Sequence, residues 1–336
     1  MKRYRVISDA GLPDALALQD FDPAPLKATE VRIAVKACSL NFRDTMILAG
    51  GYGRNNTCPV VPLSDGAGEI IEVGSEVERW QVGDRVMANF LRDWIAGPVN
   101  ETALRSGLGG GLDGMLSETV ALDQAALVRI PSHLDYCEAS TLPCAAVTAY
   151  HALHAAGTTS GETVLLLGTG GVSIFGLQLS KALGARTIIT SSSDEKLAKA
   201  SGLGADDVIN YKQIPDWHKE VRRLTAGVGV DHVIEVGGTG TLEKSMKSTR
   251  VGGTISLIGV LEQGAPNMTN ALMNSQTVRG IYVGSVELFE RMNRIIDFHQ
   301  IHPVIDKVFP FQDAVAAYEY LLSQGHVGKV VIELAD

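Results

Sequence analysis

The sequence predicts an α/β protein in which a mainly β part precedes a doubly wound parallel sheet. Three observations support this prediction. Short alternating or glycine-flanked apolar runs fill residues 1 to about 120, whereas strand and helix patterns alternate from about residue 122 onward. A glycine-rich turn joins the apolar run 163–167 to a segment with helical periodicity. The length of 336 residues is typical of two domains.

The N-terminal part is predicted to consist of short strands. Residues 31–37 alternate between apolar and polar side chains, and the runs 68–74 and 83–88 lie beside glycine turns. Residues 100–115 are predicted to be a mobile, glycine-rich loop.

The elements of the remaining chain follow from its periodicity. Strands are predicted at 163–167, 187–190, 207–210, 232–236, 253–258, 278–283, 303–309 and 329–334. Helices are predicted at 137–156, 194–202, 215–226, 240–249, 286–299 and 312–323, besides the helix that opens at residue 171. The alternation predicts a parallel sheet, and the last elements are expected to rejoin the first domain.

Composition excludes several classes of protein. Hydrophobic residues make up 45% of the chain and charged residues 20%, as in globular proteins. The net charge of −9 argues against binding to nucleic acid or to an anionic membrane, because both need clustered Lys and Arg. No apolar run has transmembrane length and no signal peptide is recognisable, so a cytoplasmic location is expected. Four cysteines without C-x-x-C spacing are predicted to be reduced thiols: Cys38, Cys58, Cys137 and Cys144.

The glycine turn after residue 167 predicts a dinucleotide site. Gly168 permits a tight turn, Gly170 lets a pyrophosphate approach the backbone, and the amides of Gly171 and Val172 open a helix whose positive end attracts phosphate. Ser173 stands where a third glycine is usual, so helix–strand packing is expected to be strained there. The alternative is an ordinary strand–turn–helix connection.

Four motifs together resemble the medium-chain dehydrogenases/reductases. They are Pro62–Glu69, Gly83–Val86, Gly168–Val172 and Gly328–Ile332, in the order and spacing of that family. The resemblance implies a GroES-like β domain (1–121, completed by 289–336), a Rossmann domain (122–288) and an active site in the cleft between them. It also implies a homodimer or homotetramer joined through the strand at 278–283.

The departures from the zinc enzymes of this family indicate its zinc-independent branch. Asn41 stands where those enzymes have a cysteine ligand, and Ser64 and Asp65 stand where they have a His-Glu pair. Cys144 matches the third ligand, but a catalytic zinc needs about three protein ligands. We therefore expect no metal. The segment 39–44 is similar to that of enoyl reductase modules, and the whole chain resembles quinone oxidoreductases.

The end of the second Rossmann strand favours NADPH over NADH. No acid sits at residues 190–193, Ser191 and Ser192 can donate hydrogen bonds to a 2′-phosphate, and Lys196 follows one helical turn later. The alternative explanation of these serines is a capping box formed by Ser192 and Glu195. Asp194 and Glu195 would disfavour the phosphate if they pointed inward.

Catalytic candidates lie close together in sequence. By resemblance, Asn41 lies beside the nicotinamide and the substrate, where its amide can donate to a carbonyl oxygen; alternatively it is a turn residue before a helix. Tyr52 is a candidate acid or orienting group, or a packing residue. Arg43 either faces the substrate or pairs locally with Asp44, which is the default expectation.

The resemblance also supplies further cofactor contacts. Thr148 is expected under the nicotinamide, Tyr211 near the adenosine phosphate, and Lys329 at the active-site end. The complete predicted cofactor set is Asn41, Thr148, Gly168, Thr169, Gly170, Gly171, Val172, Ser173, Ser191, Ser192, Lys196, Tyr211, Gly237, Ile258, Gly259, Val283, Gly284 and Lys329.

Chemistry favours one of three functions. Without zinc, a quinone or an α,β-unsaturated carbonyl is an easier small-molecule substrate than a ketone, because the developing charge is delocalised and a few hydrogen-bond donors stabilise it. The sequence therefore predicts an NADPH-dependent reductase of quinones or enones. Zinc-free alcohol or aldehyde chemistry, and a nucleotide-binding protein without turnover, remain alternatives.

Overall fold

The computed structural model describes residues 1–8, 10–52, 59–259 and 264–334. Cys58 lies outside these ranges. The chain forms two compact units, one of Met1–Val147 with Val283–Asp336 and one of Thr148–Tyr282. The first unit extends past the predicted boundary at 121/122, because the strand Leu127–Arg129 pairs with Arg85–Ala88. It resumes at Val283 and not at the predicted residue 289.

The first unit is built on antiparallel strands. A two-stranded sheet contains β1 (Lys2–Val6) and β2 (Leu16–Asp20). The larger sheet contains β3 (Glu30–Leu40), β4 (Asp65–Val73), β5 (Arg85–Ala88), β6 (Thr119–Asp123), β7 (Leu127–Arg129), β14 (Ile305–Pro310) and β15 (Lys329–Glu333). Its strand order is β14-β15-β3-β4-β5-β7, with β6 also paired to β3 and only β14 and β15 parallel. The chain's last strands therefore complete the sheet that its first strands begin.

Among the described residues of the first unit, these strands are accompanied by the helices α1 (Phe42–Leu48), α2 (Glu101–Leu104), α3 (Tyr136–Ser140), α10 (Val286–His299) and α11 (Ala314–Leu322). The core of this unit includes buried side chains from both ends of the chain, such as Ile33, Leu40 and Tyr318. This arrangement agrees with the GroES-like β domain that the family resemblance implies.

The second unit is a doubly wound parallel sheet. Its strands are β8 (Thr163–Leu167), β9 (Arg186–Ser191), β10 (Asp207–Asn210), β11 (Val230–Glu235), β12 (Thr249–Leu257) and β13 (Thr277–Gly280). Its helices are α4 (Val147–Ala156), α5 (Gly171–Ala182), α6 (Asp194–Gly202), α7 (Trp217–Leu224), α8 (Thr239–Ser248) and α9 (Thr269–Met273). The order β10-β9-β8-β11-β12-β13 is that of a Rossmann fold. The predicted fold class is confirmed.

Two predicted segments differ from the structure. The helix predicted at 137–156 is divided into α3, a single π-helical turn at Leu142–Ala146 and α4, with Pro143 in the wide turn. The segment 100–115 contains α2, and Leu108 and Met115 are buried in the core. Its glycines therefore serve close packing as well as turning: a Cβ at Gly114 would lie 2.1 Å from the carbonyl oxygen of Leu63. No helix in the described ranges combines the length and apolarity needed to cross a membrane.

A buried histidine makes the second unit sensitive to acid. His232 on β11 lies between Thr158 Oγ1, 3.1 Å from its Nδ1, and Ser256 Oγ, 2.8 Å from its Nε2. Burial lowers the pKa of His232 from 6.5 to about 4, because the imidazolium loses its hydration. The unfolded chain therefore binds more protons than the folded chain between these two pH values.

We expect this histidine to remove stability as the pH falls from about 6.5 to about 4, by about 3 kcal/mol over the whole window. His232→Gln should flatten that dependence, because the amide can hydrogen-bond without titrating. Urea midpoints followed by circular dichroism at about pH 7 and about pH 4.5 test this. The exposed His299, replaced by glutamine, is the control. An unchanged slope in His232→Gln would contradict the prediction.

Candidate functional site

A buried polar cluster lies in the first unit where β3 meets β15. Antiparallel pairing sets Val330 opposite Leu40. Lys329 begins β15, and Asn41 precedes α1 in extended conformation as its N-terminal capping residue. The sheet register thus brings together two residues that are 288 positions apart.

The ammonium group of Lys329 lies at the centre of this cluster. The residue is 2% exposed. Its Nζ donates to Leu40 O (2.7 Å) and Asn41 Oδ1 (2.6 Å) and lies 3.5 Å from Asp65 Oδ2. Three acceptors therefore match its three protons. The amide nitrogen Nδ2 of Asn41 is buried and has no hydrogen-bond partner among the described residues.

Asp65 supplies the counter-charge to Lys329. It is fully buried at the start of β4, and its Oδ2 also accepts from Ser39 Oγ (3.2 Å). Its Oδ1 accepts from Ser64 Oγ (2.7 Å). Ser64 and Asp65, which replace the family's His-Glu pair, thus form hydrogen bonds with each other, and Asp65 also contacts Ser39 and Lys329.

Arg43 is another buried cation of this unit. Its Nη1 lies 3.3 Å from Asp44 Oδ1 and donates to Leu108 O (2.9 Å), which confirms the expected local ion pair. The guanidinium also lies over the ring of Phe90, at 4.6 Å, and over that of Tyr52, at 5.1 Å. The catalytic roles of Arg43 and Tyr52 stay predictions.

Burial is the largest cause of the pKa shifts of Asp44, Cys38 and Cys144. It raises the pKa of Asp44 to about 6, although Arg43 and the Asn41 N–H, which donates to Asp44 Oδ2 (2.7 Å), oppose the shift. Burial raises the pKa of the Cys144 and Cys38 thiols as well, and the charge of Asp65 adds to both shifts. Neither thiol is therefore a nucleophile at neutral pH.

The donor set of this cluster does not suit a divalent metal. Among the residues that the structure describes, no three His, Cys, Asp or Glu side chains are grouped as ligands. The Lys329 ammonium is already bound by Asn41 and lies beside Asp65. A fixed positive charge at this place would repel zinc.

The glycine turn lies in the second unit at the head of α5. Gly168 adopts a φ of 72°, which favours glycine. Gly170 has φ −76° and ψ −179°, which any residue adopts, and a Cβ there would meet no described protein atom within 4 Å. Neither the backbone nor protein packing thus requires glycine at position 170. A pyrophosphate lying against this backbone would require glycine there, and this contact stays a prediction.

Ser173 occupies the position of the missing third glycine. Ser173 is buried, and its Oγ donates to Leu167 O (2.6 Å) at the end of β8. Close packing of helix on sheet occurs one turn later at Gly176, where a Cβ would lie 2.7 Å from Leu166 Cδ2. The hydroxyl of Ser173 thus satisfies the strand carbonyl, and the expected strain at this position stays a prediction.

The end of β9 brings several predicted residues together. Thr169 Oγ1 lies 3.5 Å from Ser191 Oγ, and the Tyr211 N–H donates to Ser191 O (3.0 Å). The residue that caps α6 is Ser193, whose Oγ accepts from the Lys196 N–H (3.5 Å). The alternative capping box of Ser192 with Glu195 was wrong, because α6 begins one residue later than that pairing requires.

A buried carboxylate, which the sequence analysis missed, orders the loop after β11. Glu235 Oε1 accepts from the N–H groups of Gly237 (2.8 Å) and Gly238 (3.1 Å) and from Thr241 Oγ1 (2.6 Å). Its Oε2 accepts from Ser245 Oγ. The signal was an acid within an apolar run, one residue before two consecutive glycines.

The carbonyl of Glu235 fixes the neighbouring strand end as well. It accepts from the N–H groups of Ile258 (2.9 Å) and Gly259 (3.0 Å). A Cβ at Gly259 would lie 1.8 Å from Val236 O, so only glycine fits there. The structure thus brings together Gly237, Ile258 and Gly259, and their contacts with a dinucleotide stay predictions.

The remaining predicted cofactor residues fall in both units. Thr148, on α4, is buried in the second unit. Val283 and Gly284 belong to the first unit, where Gly284 O accepts from Asn89 Nδ2 (3.3 Å). Their contacts with a dinucleotide stay predictions.

Comparison with known proteins agrees with this geometry. The model of the alcohol dehydrogenase GroES-like domain matches residues 27–132, and that of the zinc-binding dehydrogenases matches residues 171–299. The chain is 44% identical to a zinc-type alcohol dehydrogenase-like protein of Schizosaccharomyces pombe, over 99% of both chains. It is 28% identical to the quinone oxidoreductase of Rattus norvegicus, over 99% of this chain and 98% of that protein.

A solved structure is similar over nearly the whole chain. The crystal structure of a protein described as an alcohol dehydrogenase from Sinorhizobium meliloti matches with a TM-score of 0.92 and 38% identity, over 99% of this chain and 98% of that one. The chain belongs to the medium-chain dehydrogenase/reductase family. Within it, the protein is a nicotinamide-dependent oxidoreductase similar to quinone reductases.

Proposed function

We propose that this protein is a zinc-independent, NADPH-dependent reductase of quinones or α,β-unsaturated carbonyls. The observation that carries the proposal is the Lys329 ammonium, bound to Asn41 and next to Asp65 at the positions of the family's zinc ligands. A monovalent cation that is part of the chain replaces the metal there. The protein therefore lacks the strong Lewis acid that would stabilise an alkoxide.

Quinones and enones make smaller demands on the protein. The nicotinamide, when bound, supplies the hydride. The resulting negative charge spreads over an enolate or a hydroquinone anion, so neutral hydrogen-bond donors can stabilise it. The buried Nδ2 of Asn41, which has no partner in the described parts of the chain, is such a donor.

The geometry at the end of β9 supports NADPH as the cofactor. Both carboxylate oxygens of Asp194 accept from amides, one from Asn210 Nδ2 (2.6 Å) and one from Gln213 Nε2 (2.8 Å). These bonds hold the nearest acid toward the β10 side. Ser191, Ser192 and Lys196 then provide the hydrogen-bond donors for a 2′-phosphate.

Lys196→Ala should weaken NADPH binding about tenfold and leave NADH binding nearly unchanged, because only NADPH carries the phosphate that this ammonium would contact. Dissociation constants of both cofactors, measured by calorimetry, test this. Lys199→Ala is the matched control, since Lys199 lies on the same helix and pairs with Glu195. Equal losses for NADPH and NADH would reject the role of Lys196.

We also propose that two or four copies assemble through the sheet of the second unit. β13 is the edge strand of that sheet, and the neighbouring helix α9 exposes Leu272 (79%) and Met273 (76%). A row of unpaired backbone groups beside exposed apolar side chains favours association. The molar mass from light scattering tests this, and a monomer would contradict it.

The function itself is tested by a panel of acceptors. Oxidation of NADPH and NADH is followed by nicotinamide absorbance with 1,4-benzoquinone, a naphthoquinone, an aliphatic enone, an enal and a simple aldehyde, with and without a chelator. We expect NADPH-selective, chelator-insensitive reduction of quinones or enones. Turnover of the aldehyde alone would indicate a dehydrogenase. NADPH binding without any turnover would indicate a binding protein.

A further inference from the structure

The contact between Lys329 and Asn41 determines which way the asparagine amide faces. A lysine ammonium has only donors, so its neighbour must present an acceptor. The amide oxygen of Asn41 lies 2.6 Å from Nζ. Turning the amide over would place an NH₂ group against an ammonium and lose a charge-assisted hydrogen bond. The ammonium of Lys329 thus determines that the oxygen, and not the nitrogen, of the Asn41 amide faces it.

The orientation of the oxygen fixes that of the nitrogen. Nδ2 is directed away from Lys329, and it is buried without a partner in the described part of the chain. A buried donor without a partner costs stability, which a ligand with an acceptor oxygen would recover. The cluster therefore keeps one donor ready for a ligand.

The backbone at this position is held as well. The Asn41 N–H donates to Asp44 Oδ2 (2.7 Å). The charge of Lys329 is offset by Asp65, which Ser39 and Ser64 hold in turn. The main chain of Asn41 is thus anchored by Asp44, and its side chain is anchored by Lys329.

We propose that Lys329 is a positioning residue that holds Asn41 so that its Nδ2 donates to the carbonyl or quinone oxygen of the substrate. This inference rests on the proposed function. It assigns Lys329 a task other than binding the dinucleotide, because its three protons are matched by acceptors within the first unit. Lys329 acts through Asn41 and does not itself touch the substrate.

A kinetic cycle tests this dependence. The variant Lys329→Met/Asp65→Asn removes both buried charges together and so leaves neither unpaired. It is compared with Asn41→Ala and with the variant that combines all three changes. We expect the charge-neutral variant to lose kcat roughly tenfold with a smaller change in KM, and to cause no further loss once Asn41 is alanine. Equal losses with and without Asn41 would overturn the proposal.

A spectroscopic measurement does not depend on turnover. In protein labelled with ¹⁵N-asparagine, the side-chain NH₂ signals of Asn41 are those absent from Asn41→Ala. We expect these signals to shift or broaden in Lys329→Met/Asp65→Asn, because the amide is then free to turn over. Unmoved signals in a folded variant would overturn the proposal.

The two failures can be told apart. If the wild-type protein reduces none of the acceptors, the proposed function fails, whereas the NMR comparison still decides whether Lys329 orients Asn41. If the charge-neutral variant melts below the assay temperature, Lys329→Arg replaces it in the cycle with Asn41→Ala. A loss of kcat in Lys329→Arg that does not depend on Asn41 would again overturn the proposal.

Discussion

Replacing Gly170 with valine is expected to abolish binding of the dinucleotide while the second unit stays folded. The backbone at Gly170 has ordinary dihedral angles, and a side chain there would project into space free of described protein atoms. The fold therefore tolerates valine. A pyrophosphate lying against this backbone does not, and a steric cost of about 3 kcal/mol corresponds to a loss of affinity of about 100-fold or more.

Calorimetric titration with NADPH measures the loss, and circular dichroism reports whether the fold persists. Gly202→Val is the matched control, because Gly202 is also without neighbours around its Cβ position but lies at the exposed end of α6. The control should bind NADPH as the wild type does. Unaltered affinity in Gly170→Val would show that the glycine turn is only structural.

Replacing Asn41 is expected to lower kcat by about 100- to 1,000-fold, the usual cost of losing one donor to a developing oxyanion. Asn41→Asp is the sharper variant. It keeps an oxygen for the Lys329 ammonium and a good helix cap, and it replaces only the donor Nδ2 by an acceptor. Its carboxylate would also repel the negative charge that forms on the substrate.

Steady-state kinetics with the best acceptor of the panel measure this effect. Asn100→Asp serves as the control, because Asn100 caps α2 in the same unit and its side chain accepts from the Ala103 N–H. The control should retain wild-type kcat, and both variants should keep their melting temperatures within a few degrees. If Asn41→Asp retains full activity, Nδ2 is not the donor.

Local patterns predicted the elements of the second unit closely. The predicted strands 163–167 and 207–210 and the helix 194–202 agree with the structure to the residue, as does the helix 286–299 of the first unit. In these segments periodicity, capping and glycine turns agree with one another. Local chemistry was ambiguous at 137–156, where a helical pattern contains Pro143. Contacts with the rest of the protein decide where the helix in such a segment is interrupted.

The candidate site could be predicted only in part. Asn41 was recognised from its segment, and Lys329 from the strand that follows Gly328, but nothing local indicates that the two side chains meet. Their contact depends on the register of β15 against β3, which forms between distant parts of the chain. In the same way, the sequence does not distinguish Glu235 from any other acid at the end of a strand. Only the structure shows the amides and hydroxyls that donate to its carboxylate.

The pairing of β3 with β15 also has a consequence for biosynthesis. Leu40 and Lys329 are separated by 289 residues, which a ribosome adds in roughly 15–60 s. During this interval the growing chain can complete the contiguous second unit, while the edge of β3 at residues 37–40 waits for its partner. An unpaired strand edge is a site of aggregation, so nascent chains are most exposed to chaperones and to misassembly in this interval. A chain truncated before β15 would therefore keep residues 37–40 of β3 unpaired permanently, although its second unit would be complete.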